Sequence, residues 1–186
     1  ETKPVETMKH MKKFAFLMMI AVGLSSCGLF NVDVDTTLSG LLNIDVEEDM
    51  AKGAADNTHF YSSVSITPDT DEINDYRDRI DDVGINNITA TVASVSKENV
   101  VIQEGSKVIV SAFGKKDAIY ILEKDWPMDE NNTFPLYDQD NLYAEVEEIL
   151  NDLETFDITM DGYSSQSGVL ITIKFNIEAK ISGSIF

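Results

Sequence analysis

Near each end of the chain, apolar and polar side chains alternate with a period of two over a length that only an extended strand satisfies. From Val32 the apolar residues Val32, Val34, Leu38, Leu42, Ile44 and Val46 all take even positions. Asn31, Asp33, Asp35, Ser39, Asn43 and Asp45 take odd ones, and Leu41 breaks the rule. The C-terminal stretch mirrors this, with Val169, Ile171, Ile173, Phe175, Ile177, Ala179, Ile181 and Ile185 all odd. Successive side chains of a strand point to opposite faces, so such a pattern describes a sheet with one dry face and one wet face. Residues 32–46 and 169–185 are therefore expected to be long strands in one core, candidate neighbours and the structural spine of the domain.

Shorter strands are expected at 60–66, 86–95, 107–113 and 118–122, with turns at Ser96-Lys97-Glu98-Asn99 and Gly114-Lys115-Lys116-Asp117. Two segments carry helical spacing instead. In 71–82 the apolar residues are Ile73, Tyr76, Ile80 and then Val83, after Pro68 and the acids Asp69, Asp71 and Glu72, and before Gly84. In 139–153 they are Leu142, Val146, Ile149, Leu150 and Leu153. Each helix runs into a strand, and the two units superpose at an offset of 70, Ile80 on Leu150 and Ile88-Thr89 on Ile158-Thr159. Apolar matching of this kind also arises between unrelated amphipathic helices. The fold class that follows is mostly β, a single β-sandwich-like or α+β domain over 32–186 with two inserted amphipathic helices.

Ahead of that domain, Met11-Lys12-Lys13 precedes an apolar run from Phe14 to Leu24, which ends in Ser25-Ser26-Cys27. A basic start, a short apolar run and a small-residue cleavage region make residues 11–26 a secretory signal peptide. The run is shorter than the ~20 apolar residues that span a bilayer. Leu24-Ser25-Ser26-Cys27 resembles the lipobox of bacterial prolipoproteins. The resemblance implies diacylglycerol on the Cys27 sulfur, cleavage just before Cys27 by signal peptidase II, and an acyl chain on the new amino group. Two or more chains anchor stably where one holds only marginally. Residues 27–31 would then be anchor and short tether, and 1–10 an upstream extension, with translation starting at Met8 or Met11. The competing roles for Cys27 are a buried free thiol or a nucleophile. It is the one cysteine, so an intramolecular disulfide is ruled out. Gly28 follows it where an aspartate would signal inner-membrane retention in many enteric-type bacteria. The resemblance therefore favours the outer membrane, and the lack of an acidic cluster there favours the periplasmic face over the cell surface.

Charge narrows the partners. The 186 residues hold 33 Asp and Glu against 14 Lys and Arg, a formal net charge of −19. Lys3, Lys9, Lys12 and Lys13 all lie ahead of Cys27, so the remainder is more acidic still. Such a field repels phosphate backbones and anionic head groups, which argues against nucleic acid and against a basic membrane patch. Its simplest effect is solubility.

No coherent catalytic set emerges. His59 is the single histidine after Cys27, and no Gly-X-Ser-X-Gly turn selects a serine for it. Acid pairs suited to glycoside hydrolysis arise by accident among so many carboxylates. Zinc lacks ligands, and the acidic stretches lack the glycine and distal glutamate of an EF-hand loop. Asp33 and Asp35 share a wet strand face, where an ion or simple solvation would suit them. No cofactor or metal is expected. One connection is unusually aromatic: Trp126, Phe134 and Tyr137 lie within a dozen residues and form a candidate binding surface, or else fold back to seal the core. The leading expectation is a non-catalytic envelope lipoprotein, bound to the membrane through lipid on Cys27, that engages a protein or glycan partner or supports assembly. The alternatives are an envelope hydrolase acting on polysaccharide and a carrier of an apolar ligand.

Overall fold

A computed structural model describes residues 31–48, 57–77, 80–152 and 154–184. Strand β1 (Asn31–Val46) runs antiparallel to β10 (Val169–Ser184) without a break, from Asn31 opposite Ser184 to Val46 opposite Val169. The two alternating stretches are thus direct neighbours, as their matching patterns suggest; Ile185 lies outside the described residues. Leu38, Leu42, Ile44 and Val46 of β1 and every odd residue of β10 from Val169 to Ile181 are buried. On the wet face Asp33 meets Lys180 at 2.6 Å and accepts a hydrogen bond from Ser182 at 2.8 Å. These contacts hold its carboxyl below the ordinary aspartate range, with Lys180 the larger cause. Asp33 therefore pairs with a lysine across the ladder.

The other edge of β10 pairs with β3 (Ile80–Val95), and the short β8 (Thr133–Pro135) follows, giving the first sheet the order β1-β10-β3-β8. In the second sheet β9 (Phe156–Ser164) lies between β2 (Thr58–Ile66) and β5 (Lys107–Ser111), with β6 (Ala118–Ile121) beyond β5. Past the end of β5, β4 (Val101–Ile102) takes over the same edge of β9 at Ser164 and pairs with β7 (Trp126–Pro127). All these pairings are antiparallel. The inner faces of the two sheets share one apolar core, so the protein is mostly β and sandwich-like. Packing across the first sheet is complementary in size. Phe175, fully buried, stands between Gly40 of β1 and Ala90 of β3. The space a side chain would fill on Gly40 is taken by Ile66 of the facing sheet, whose Cδ1 lies 2.7 Å from where a Cβ would sit.

The helix expected over 71–82 is cut short. Helix α1 (Asp71–Tyr76) is one and a half turns, capped by Thr70, whose hydroxyl accepts from the Ile73 amide at 3.3 Å. Ile80 and Val83 belong to β3. The reason is visible in the register. Opposite β10, strand β3 carries one extra residue at Asp81, at Asn86 and at Ala93, three β-bulges. A bulge shifts the alternation by one, so inward residues fall at 80, 83, 85 and 88, and steps of three imitate a helix. Helix α2 (Leu142–Leu150) is shorter than 139–153 but buries the expected Leu142, Val146, Ile149 and Leu150. The 70-residue superposition fails here, since Ile80 is in a strand and Leu150 ends a helix.

Helix α2 also closes an edge. Strand β8 reaches only Thr89–Thr91, so on the edge facing away from β10 the Val83–Ile85 part of β3 has no strand partner among the described residues. There Asn151 accepts from the Val83 amide at 3.1 Å and Glu147 from the Ile85 amide at 2.8 Å. Two side chains stand in for a neighbouring strand and blunt an edge that would otherwise invite pairing.

Two measurements test this account. Ile173→Ala should cost about 2–5 kcal/mol through lost burial and a cavity, whereas Lys174→Ala, next to it on the wet face, should cost under about 0.5 kcal/mol. Equal shifts of the denaturant midpoint would show that the alternation does not report a buried face. Glu147→Ala should cost about 1–3 kcal/mol by stranding the Ile85 amide, and faster hydrogen exchange at that amide is the specific sign.

Candidate binding face

The aromatic connection between β6 and α2 resolves into core and surface. Trp126, 2% exposed, stacks at a tilt against Phe134 with ring centroids 5.2 Å apart, and Phe134 meets Tyr120 edge-on at 6.1 Å. These three rings come from β7, β8 and β6, so they plug the core where the two sheets are joined. Tyr137 alone of the sequence's candidate trio is exposed, at 68%. The expected platform of Trp126, Phe134 and Tyr137 is therefore corrected: burial of large apolar rings outweighs display, and the segment seals the core. The Trp126 Nε1–H is buried without a hydrogen-bond partner among the described residues. Cys27 lies outside the described residues.

An aromatic surface does exist, on the outer face of the second sheet. On β2 the outward residues are the odd ones, His59, Tyr61, Ser63 and Ser65; on β9 they are Asp157, Thr159, Asp161 and Tyr163. The register sets His59 opposite Tyr163, Tyr61 opposite Asp161, Ser63 opposite Thr159 and Ser65 opposite Asp157. Continuing outward, Lys107 of β5 faces Asp161 and Ile121 of β6 faces Lys107, while Ile109 faces Thr159 and Ile119 faces Ile109. Tyr61 and Tyr163 are 67% and 50% exposed. They sit diagonally on adjacent strands, ~7–8 Å apart at the backbone.

Hydrogen bonds fix the polar groups along this face. His59 Nε2 lies 2.7 Å from Asp161 Oδ1, and its ring meets Tyr163 edge-on at 5.3 Å. Ser65 donates to Asp157 Oδ1, and Thr159 donates to Ser63 Oγ at 2.9 Å. The one histidine that sequence reasoning singled out is thus paired with a carboxylate, yet the serines on this face are bonded to partners of their own. Backbone packing supports the array. A Cβ on Gly162 would collide with Ser106, whose hydroxyl accepts from the Tyr163 amide at 3.2 Å. That contact fixes the end of β9 that carries Tyr163. No sequence signal pointed to Tyr61 and Tyr163, because they are about a hundred residues apart and meet only through the β2–β9 register.

Elsewhere an open depression of about 570 Å³ is lined by Asp35, Thr36, Thr70, Asn86 and Glu178 among others. Among the described residues no three His, Cys, Asp or Glu side chains converge as a metal set, and no helix is long and apolar enough to cross a membrane.

No protein-family model matches the chain, nor does any curated protein. Among solved structures, the decameric BFDV capsid protein overlays with a TM-score of 0.45 at 7% identity, covering 81% of this chain and 99% of that one. Desmodium yellow mottle tymovirus gives 0.28 at 8% identity, with 83% and 90% covered. Both scores are too low for a common topology or function to follow.

The unpaired indole makes a sharp prediction. Trp126→Phe keeps most of the apolar contact and removes the stranded N–H, so it should cost less than about 1.5 kcal/mol. Trp126→Ala should cost about 3–5 kcal/mol. Denaturant unfolding of both variants checks the difference, and equal losses would mean that the indole N–H has a partner after all.

Proposed function

We propose that this chain is a lipid-anchored protein of the bacterial cell envelope, held by Cys27 in the outer membrane with its β domain on the periplasmic face. The domain itself is a non-catalytic binding or structural module. The observation that carries the anchor is Leu24-Ser25-Ser26-Cys27 directly after the Phe14–Leu24 apolar run and the Lys12-Lys13 pair. The module reading draws on the outer face of the second sheet, where two half-exposed tyrosines flank oriented polar groups. Tyrosine, with an apolar body and a polar tip, is enriched at recognition surfaces. A packed interior supports a module over a carrier: Trp126, Phe156, Phe175 and Leu42 are among the fully buried side chains that fill the space between the sheets.

The chain also limits the reach of the tether. Strand β1 begins at Asn31, four residues after Cys27, so the start of the first sheet can lie no further than ~15 Å from the lipidated residue.

In a bacterium that carries the lipoprotein-processing enzymes, the wild-type chain should incorporate a labelled fatty acid and Cys27→Ser should not. Equal labelling of both rules the anchor out. Protease added to intact cells should leave the domain whole and digest it only after the outer membrane is opened; complete removal from intact cells would move the domain to the outer surface.

A further inference from the structure

The outer face of the second sheet has the chemistry of a particular ligand class. Its two exposed rings, Tyr61 and Tyr163, project from a pleated surface on adjacent strands. Aromatic faces carry negative quadrupole density and attract weakly positive C–H groups. Asp161 stands opposite Tyr61 and two residues from Tyr163 on β9, and Asp157 lies four residues further along the same strand; each carboxylate is held in place by one hydrogen bond, from His59 and from Ser65. A carboxylate offers about four lone-pair positions, so both keep acceptor capacity toward solvent. The face therefore presents stacking surfaces interleaved with oriented acceptors. Its complement has apolar C–H faces and many hydroxyl donors.

Charge and composition select among the occupants. A net charge of −19 repels acidic polymers and equally repels a second copy of this chain. The centres of protein–protein interfaces are depleted in Asp, Lys and Ser, yet here Asp161, Lys107 and Ser63 sit amid the array. We propose that the face centred on Tyr61, Asp161 and Tyr163 binds an uncharged polysaccharide, whose sugar rings stack on the tyrosines and whose hydroxyls donate to the two aspartates. This rests on the domain's being a binding module and is independent of the anchor. Labelled Cys27 with no polysaccharide binding would sink this proposal alone, and binding without labelling would sink the anchor alone.

The test is native affinity electrophoresis of the full chain, with Cys27 intact, in a polyoxyethylene detergent that carries no sugar head group. Separate gels contain hydroxyethyl cellulose, mixed-linkage β-glucan, xylan, galactomannan or dextran, with acidic polygalacturonate as the contrast. Retardation is expected in at least one neutral gel and not in polygalacturonate. Tyr61→Ala and Tyr163→Ala should each weaken it roughly three- to tenfold, and the pair should abolish it. Tyr137→Ala, exposed on another segment, should leave it unchanged. Asp161→Asn, which keeps both rings, should also weaken binding through the lost carboxylate. Because both rings are exposed, the double variant should melt where the wild type does, and Asp161→Asn supplies the answer if it does not. Mobility unchanged in all five neutral gels overturns the proposal, as does retardation that survives loss of both tyrosines. Self-association in sedimentation that the double variant abolishes would assign the face to contacts between chains and overturn it too.

Discussion

Strand β10 is the member of the first sheet on which the others depend, because both of its edges are occupied along most of its length. One edge holds β1 in sixteen consecutive pairs and the other holds β3. Its inward residues, from Val169 to Ile181, form one unbroken apolar row at the middle of the sheet. The size match of Phe175 between Gly40 and Ala90 locks that row in register, since a one-residue slip would turn every inward side chain to water. Through Gly40 the lock extends to Ile66, and so to the second sheet. The sandwich is assembled around one strand whose displacement would undo both layers.

How much of this was legible in the sequence depended on whether a strand kept its period. β1 and β10 do so without interruption, and their boundaries and neighbourhood follow from the pattern. β3 does not: bulges at Asp81, Asn86 and Ala93 break its alternation, and its first residues pass for the end of a helix. β9 was noticed only at Ile158-Thr159: Phe156, Ile158 and Met160 do alternate with polar residues, but the run is short because the next inward positions, Gly162 and Ser164, carry no hydrophobic signal. Gly162 is there to admit Ser106, a reason that exists only in three dimensions.

The candidate site was harder still to foresee, for the same reason. The sequence concentrates its aromatic signal between Trp126 and Tyr137, and the fold spends most of it on closing the core. The surface that presents rings to water is assembled from β2 and β9, where the hydrogen-bonded His59 and Asp161 are 102 residues apart. His59 could be noticed because it is solitary, but nothing local announced Asp161 and Tyr163 as its neighbours. Sequence proximity found a structural plug, and strand register found the face.

The adjacency of the first and last strands also governs the order in which the molecule can form. Side-chain hydrogen bonds across the β1–β10 ladder join residues 129 and 149 positions apart. Contacts so distant along the chain make folding slow, since loop closure must precede any gain from pairing. Until its C-terminal residues are available, β1 is a long, half-apolar strand with no mate, prone to pairing with another chain. A chain that ended early would therefore be an aggregation hazard, not a smaller version of the same protein. Were the chain threaded through a membrane from its N-terminus, as the proposed anchor requires, the same delay would be useful. With the last strand still on the near side, the first sheet would have no centre, and the chain would stay extended enough to pass.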